Sequence, residues 1–296
     1  MNQPTSFFTP NPSGMPEPGL YIVATPIGNL RDMTLRAVDI LAAADLIACE
    51  DTRVTAKLKS AYGLKAPLCS YHDHNEEKAT RHLLNVLSDG DKIVALVSDA
   101  GTPLMSDPGY RLARACIDAG YPVYSIPGAC ASVTALTLSG LPVSRFLFSG
   151  FLPAKSTARK KELETLADIP ATLVFYESAK RVVPCMKDML TVLGDREAAL
   201  ARELTKRFEE VLRGPLSELI ARCEKDGIKG EITLVIAPAD KNAAKDALTQ
   251  DDIDALLIAA LDGGKESIKT ASAAIADKTG LKKRLLYNRL LELQKQ

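Results

Sequence analysis

Tryptophan is absent from this 296-residue chain, and aromatic residues make up only 5% of it. Base stacking on aromatic platforms is therefore a minor resource, and any contact with nucleic acid must rest on shape and phosphate charge. Net charge is absent as well, with 37 basic residues against 37 acidic. That balance argues against a protein basic over its whole surface but leaves room for local patches. Closely spaced cysteines are also missing. Cys49, Cys69, Cys116, Cys130, Cys185 and Cys223 lie far apart with no CxxC pair, so neither a zinc site nor a disulfide framework is expected. They read as small buried hydrophobes in a reducing cytoplasm, and no metal is expected. No run approaches the roughly 20 apolar residues of a membrane span. The first 18 residues hold five prolines and no apolar run. They read as a disordered tail, not a signal peptide. No GxGxxG and no GxxxxGK[ST] string occurs, so neither a dinucleotide loop nor a phosphate loop of the common kinds is present.

What the chain does have is a regular alternation of strand and helix signals over residues 19–240. Leu20–Ala24, Asp45–Cys49, a short piece near Leu68, Lys92–Val97 and Pro122–Ile126 read as strands. The continuous apolar run before Ser98 suits a strand covered on both faces. Thr34 is placed to cap a helix that carries Leu35, Val38 and Leu41 on one face. Strands alternating with helices imply a mainly parallel α/β sheet. A second unit has strands near 146–150, 171–176, 198–202 and 231–237. Residues 238–248 read as a linker. From residue 249 the pattern turns wholly helical: Ile253, Leu256, Leu257, Ala260 and Leu261 follow helical spacing. Two further helices are expected over 268–278 and from 282 onward. The fold class is therefore α/β, with domains at 19–128 and 129–240 and a small C-terminal helical appendage at 249–296.

In a parallel sheet, ligands bind outside the carboxyl ends of the strands, and the polar loops of this chain sit there. Val97–Gly109 (VSDAGTPLMSDPG) is the most informative. Gly101 lets the backbone approach a ligand or take positive φ. Asp99 and Thr102 offer polar atoms, although a rigid turn with Asp99 capping a helix explains them equally well. Ile126–Ala135 joins a Pro-Gly turn to a helix start of small residues, against which a flat ligand can lie. Tight packing on the sheet is the alternative. Glu50, Asp51 and Arg53 follow a buried strand. A carboxylate there can accept a proton and Arg53 can hold a phosphate bidentately, while helix capping with a local ion pair is the plain reading. His72 suits base chemistry near neutral pH, or is simply a loop residue. Arg202–Glu210 puts both charge signs beside a strand end, and a solvated loop with surface ion pairs is the plain reading.

Taken together and in order, VATPIGN (23–29), VSDAGTPLMSDPG (97–109), IPGACASVTALTLSGLP (126–142), LVFYES (173–178), RELTK (202–206) and GEITLVI (230–236) resemble the tetrapyrrole-methylase superfamily over residues 19–240. ADLIACEDTR (44–53), SYHDHNE (70–76) and RELTKRFEE (202–210) are similar to its ribosomal RNA branch, the 16S rRNA cytidine 2′-O-methyltransferases. The resemblance implies two α/β domains holding S-adenosylmethionine between them. It implies cofactor contacts at Pro26, Asp99, Gly101, Thr102, Gly128, Cys130, Ala131 and Ser132, and at Tyr176, Glu177, Leu204, Glu231 and Ile232. It also tilts Glu203 and Lys206 towards substrate or cofactor, and Glu50, Asp51, Arg53 and His72 towards catalysis. The tetrapyrrole branch carries Gly-Gly-Asp-Pro where this chain has Ser98–Gly101, so the roles of Asp99 and Gly101 need not carry over. The implied partner is 16S rRNA in the small ribosomal subunit, at the decoding centre, with a cytoplasmic homodimer as the working form. A tetrapyrrole methyltransferase or a non-catalytic RNA-binding protein are the competing readings. Lys155, Arg159, Lys160 and Lys161 form one cationic cluster that suits RNA phosphates, or is simply a solvated helix start. The last 32 residues carry net charge +5, and Lys282, Lys283 and Arg284 open a helix with helix-turn-helix rhythm, which reads as a face for RNA, with a partner-protein surface as the alternative.

Overall fold

The computed structural model describes residues 16–239, 250–262, 267–279 and 281–293. Most of the expected tail and the expected linker lie outside these residues. The chain divides into two compact units, residues 1–237 and 238–296.

The larger unit holds two five-stranded sheets. The first is built from β1 (Gly19–Val23), β2 (Leu46–Cys49), β3 (Leu68–Ser70), β4 (Ile93–Val97) and β5 (Val123–Ile126), in the order β3-β2-β4-β1-β5. All of its pairings are parallel, as the strand–helix alternation implies. Helices α1 (Leu35–Ala43), α2 (Thr52–Tyr62), α3 (Glu76–Leu87) and α4 (Tyr110–Asp118) connect the strands. Thr34 caps α1 as expected, its hydroxyl accepting from Ala37 N–H at 3.2 Å. Successive residues of β1 point to opposite faces. Tyr21 and Val23 join the α1 and α2 residues in one core, and Leu20 joins the α3 and α4 residues in the other. Both faces are thus covered, and all five residues of β4 are buried.

The second sheet contains β6 (Phe146–Phe151), β7 (Thr172–Ser178), β8 (Glu197–Arg202), β9 (Glu210–Pro215) and β10 (Glu231–Ile236), in the order β6-β7-β10-β8-β9. Only β6 and β7 pair in parallel; the other three pairings are antiparallel. The β9 strand is absent from the sequence reading, which took Arg202–Glu210 as a strand end followed by a loop. Helices α6 (Ser156–Leu166), α7 (Val182–Leu193) and α8 (Leu216–Asp226) pack one face around Leu163, Phe175, Met186 and Leu219. Helix α5 (Ala131–Ser139) covers the other, with Ala135, Val174, Ala199 and Val235. Ile27, from the loop after β1, is buried in that same cluster. Burying such a side chain stabilises by about 1.5–3 kcal/mol, so the two halves are held together by apolar burial as well as by chain connection.

One expected RNA contact is corrected here. Arg159 lies in the basic start of α6, yet only 4% of it is exposed. Its guanidinium bonds Asp188 at 2.7 and 2.8 Å and donates to the carbonyls of Pro153 and Ala154. A charge is tolerated inside a protein only when paired and fully hydrogen-bonded. Arg159 is spent on that pairing and is not free to meet a phosphate. Lys155 and Lys161 remain exposed, and Lys160 stands 3.5 Å from Asp188.

The smaller unit consists of α9 (Gln250–Asp262), α10 (Ile268–Thr279) and α11 (Lys283–Leu293). Leu257, Ala271, Ile275, Leu286 and Leu290 form its core, flanked by Ile253, Leu256 and Ala260. The expected face of α9 is therefore the one that packs. Arg289 on α11 grips Asp254 on α9 through two bonds. Lys282, Lys283 and Arg284 are all exposed.

Candidate active site between the two sheets

The loop after β1 and the loop after β4 are joined by two backbone bonds, Thr25 N–H to Gly101 O at 2.8 Å and Gly101 N–H to Thr25 O at 3.0 Å. Gly101 takes φ +83°, which a side chain would resist. Thr102 then donates its hydroxyl to Ala129 O at 3.1 Å. The Asp99–Thr102 loop and the Gly128–Ser132 turn thus touch. Across from them lie the ends of β7 and β10 and the β8–β9 loop. Together these segments enclose a groove of about 370 Å³, within the usual range for small-molecule sites.

Nine residues expected at a cofactor line this groove: Asp99, Gly101, Thr102, Ala131, Tyr176, Glu177, Leu204, Glu231 and Ile232. Pro26 lines an adjoining pocket of about 270 Å³ that shares Ile27, Asp99, Ala100 and Glu231 with the groove. Gly128, Cys130 and Ser132 are not on the groove wall. Their contacts are with neighbouring protein groups: Ser132 N–H donates to the Tyr176 hydroxyl at 3.1 Å, Cys130 Sγ lies 3.1 Å from the Ser132 hydroxyl, and a Cβ on Gly128 would come within 2.9 Å of Ala24. Phe151, Met105, Ser106 and Asp107 also line the groove and were missed as individual residues. Three of them belong to the Val97–Gly109 string, so their position after a buried strand was the available signal. Phe151 gave none beyond an exposed aromatic at a strand end.

Strain is concentrated on the groove walls. The non-glycine residues with positive φ among those described are Leu104, Ser106, Glu203 and Thr205. They lie on just two loops, both bordering the groove. Such backbone costs about 1–3 kcal/mol per residue and persists where surrounding contacts impose it. One such contact is Gly28, where a Cβ would meet Thr205 Oγ1 at 2.8 Å and Leu204 O at 2.9 Å. Asn29 N–H also bonds the Thr205 hydroxyl at 3.0 Å. Gly28→Ala should therefore force these loops apart and cost about 1–3 kcal/mol, read as a lowered Tm together with weaker cofactor binding. Glu203 is anchored by Glu231 N–H and by Lys206, both at 3.1 Å. The Glu231 amide first, and then Lys206, hold its carboxyl below the usual range.

The four catalytic candidates separate. Asp51 caps α2, accepting from Arg53 N–H at 2.8 Å, and pairs with the Arg53 guanidinium at 2.6 Å. Those bonds hold its carboxyl at about 2, so it is a poor base near neutral pH. The capping alternative describes Asp51 and Arg53. His72 is not on the groove wall; its ring stacks edge-on with His74 at 5.9 Å. Glu50 differs. Burial, then Asp99, Asp107, Asp73 and Asp51, push its carboxyl above the usual range. Asp51 N–H donates to Asp99 Oδ1 at 3.0 Å, which fixes the Glu50 segment against the groove loop. Burial likewise raises Asp107, with Ser98 pulling back and Asp99 adding.

Residues 19–220 match the family described as Tetrapyrrole (Corrin/Porphyrin) Methylases. The chain belongs to the tetrapyrrole methylase family. Its smaller unit matches the domain described as RsmI C-terminal HTH domain over residues 247–294. A protein of Mesorhizobium japonicum named Ribosomal RNA small subunit methyltransferase I is 50% identical over 94% of this chain and 93% of its own length. A protein of Escherichia coli O157:H7 bearing that name is 46% identical, over 93% and 95%. Among solved structures, uroporphyrin-III-C-methyltransferase from Thermus thermophilus superposes with TM-score 0.55 at 22% identity, covering 74% of this chain and 93% of that one. The same enzyme complexed with S-adenyl homocysteine gives 0.53 at 23%, covering 74% and 97%. Tetrapyrrole methylases depend on S-adenosylmethionine, and this chain is a methyltransferase. The groove fits that cofactor: Ala100, Gly101 and Ala131 leave its wall bare, and a Cβ on Gly101 would close to 3.2 Å from Ile27.

Proposed function

We propose that this chain transfers the methyl group of S-adenosylmethionine to the ribose 2′-hydroxyl of a cytidine in 16S rRNA, at the decoding centre of the small ribosomal subunit. We propose also that it works as a cytoplasmic homodimer. The observation that carries the substrate reading is the alignment with ribosomal RNA small subunit methyltransferase I proteins at 46–50% identity over more than nine-tenths of both chains. A transfer assay tests it. Tritiated cofactor is incubated with small subunits and, separately, with free tetrapyrrole. Label in ribosomal RNA alone supports the reading; label in tetrapyrrole alone overturns it. Sedimentation velocity measures the oligomeric state.

In this reading Asp99, Gly101, Thr102 and Ala131 hold the cofactor on one wall, with Pro26 beside them. Tyr176, Glu177, Leu204, Glu231 and Ile232 hold it on the other. When bound, the cofactor supplies an already activated methyl group. The chain's part is then to align the hydroxyl and receive its proton. Glu50 receives that proton: it follows β2 in the segment that Asp51 N–H ties to Asp99 at 3.0 Å beside the groove, and burial raises its carboxyl above the usual range. Asp51 positions this segment through its backbone bond to Asp99.

Lys155, Lys161, Lys282, Lys283 and Arg284 meet RNA phosphates. The last three surround the N-terminus of α11, where the helix dipole disfavours cations. They pair with no acid among the described residues, so helix stability does not account for them. Replacing Lys282, Lys283 and Arg284 by Ala should lower the slope of log affinity against log salt by about 2–3. Filter binding with a small-subunit RNA fragment at several salt concentrations reads this. An unchanged slope would remove these residues from the interface.

A further inference from the structure

Four carboxylates line the groove, Asp99, Asp107, Glu177 and Glu231, and among the described residues no lysine, arginine or histidine does. Two of them are matched from behind. Glu177 pairs with Arg181 at 3.1 Å and Glu231 with Lys206 at 3.0 Å. Asp99 and Asp107 form no ion pair with any described residue. The groups facing them from neighbouring elements add to the negative charge: Glu50 at the end of β2 and Asp73 before α3. On that side Arg53 is bonded to Asp51 and Lys206 to Glu203 and Glu231, while Lys57 lines the adjoining pocket and not the groove. Arg111, on the far side of Asp107, is bonded to Glu76 at 3.3 Å.

Such a groove, partly closed from water, favours a cation over a neutral guest of the same shape. The cofactor and its product differ in that charge and in the one methyl group that is transferred. Methyl transfer breaks the methyl carbon–sulfur bond and forms an oxygen–carbon bond on the acceptor. The electron pair stays on sulfur, and the acceptor's proton passes to a base and then to water. The sulfonium has become an uncharged thioether, while the amino-acid and adenosine portions are unchanged. We infer that Asp99 and Asp107 make the groove charge-selective: they hold the sulfonium form and lose their grip on the thioether once the methyl has gone. This rests on the cofactor assignment and not on the identity of the methyl acceptor.

Calorimetric titration of the full chain tests it with three compounds: S-adenosylmethionine, S-adenosylhomocysteine, and sinefungin, whose protonated amine replaces the sulfonium. The wild type should bind the two cations about tenfold or more tighter than the thioether, equivalent to ~1.4 kcal/mol. Asp99→Asn and Asp107→Asn keep size and one acceptor oxygen, which suffices for the Asp51 N–H bond to Asp99, while removing charge. Each should weaken both cations by roughly three- to tenfold and move the thioether by less than about twofold. Equal affinity of the wild type for all three compounds, or equal weakening of all three in both variants, overturns the inference. Failure of all three compounds to bind the folded wild type overturns the cofactor assignment itself. A melting curve on each variant reports folding, and either variant alone suffices for the comparison.

Discussion

Arg159→Ala is expected to cost about 3–5 kcal/mol of stability, the usual consequence of leaving one member of a buried ion pair without its partner. Asp188 would be stranded with only the Ser156 hydroxyl and Lys160 beside it. The carbonyls of Pro153 and Ala154 would lose their donor as well. The effect should depend on pH in a definite sense. Burial by itself raises the Asp188 carboxyl, but Ser156 and Arg159 outweigh it, and the net position is below 3.8. A depressed carboxyl contributes stability above its unfolded value and loses it as pH falls through the folded one. The wild type and the variant should therefore differ fully near neutrality and converge in acid. Urea midpoints at neutral pH and below pH 3.8 check this. A variant as stable as the wild type at neutral pH would mean that the pair is not closed in solution. RNA affinity per folded molecule should be unchanged, since this arginine does not reach the surface.

Glu50→Gln should lower kcat by about 10²–10⁴, the range for removing a general base, while the cofactor still binds. A base works only when deprotonated. Because burial and then Asp99, Asp107, Asp73 and Asp51 raise this carboxyl, the wild-type rate should fall on the acid side at a higher pH than an ordinary glutamate would give. The variant should lack that limb. Stability should move the other way. A carboxyl raised in the folded state contributes stability that is present at low pH and lost as pH rises through the folded value. At neutral pH the ionised Glu50 is therefore a burden, and Gln in its place should raise Tm. Loss of rate together with loss of Tm would instead identify Glu50 as a structural residue.

The first sheet was legible because its signals are local. The short apolar run Ile93–Val97, rich in β-branched residues and bounded by turn residues, reads as a covered strand, and Thr34 stands where a helix cap is needed. The groove loops were legible through turn chemistry at Gly101, Pro103 and Gly128. The second sheet was harder to read. Strand β9 carries Glu210, Arg213, Gly214 and Pro215, a composition that hides a strand whose place is fixed by pairing with β8. Arg159 was misread for a related reason. Its partner, Asp188, is 29 residues away, and four cations within seven residues look solvated until that partner is seen. Phe151 reaches the groove through a bulge between Phe148 and Gly150, which no periodicity announces.

The strand order β3-β2-β4-β1-β5 has a consequence for biosynthesis. Strand β1 is made early but hydrogen-bonds only to β4 and β5, the nearer of which begins roughly 70 residues later. At translation rates of about 5–20 residues per second, Leu20–Val23 would stay without its neighbours for roughly 4–14 seconds on every nascent chain. An apolar, unpaired strand held open that long is a natural target for a chaperone at the tunnel exit, and its demand for one should ease when elongation is fast.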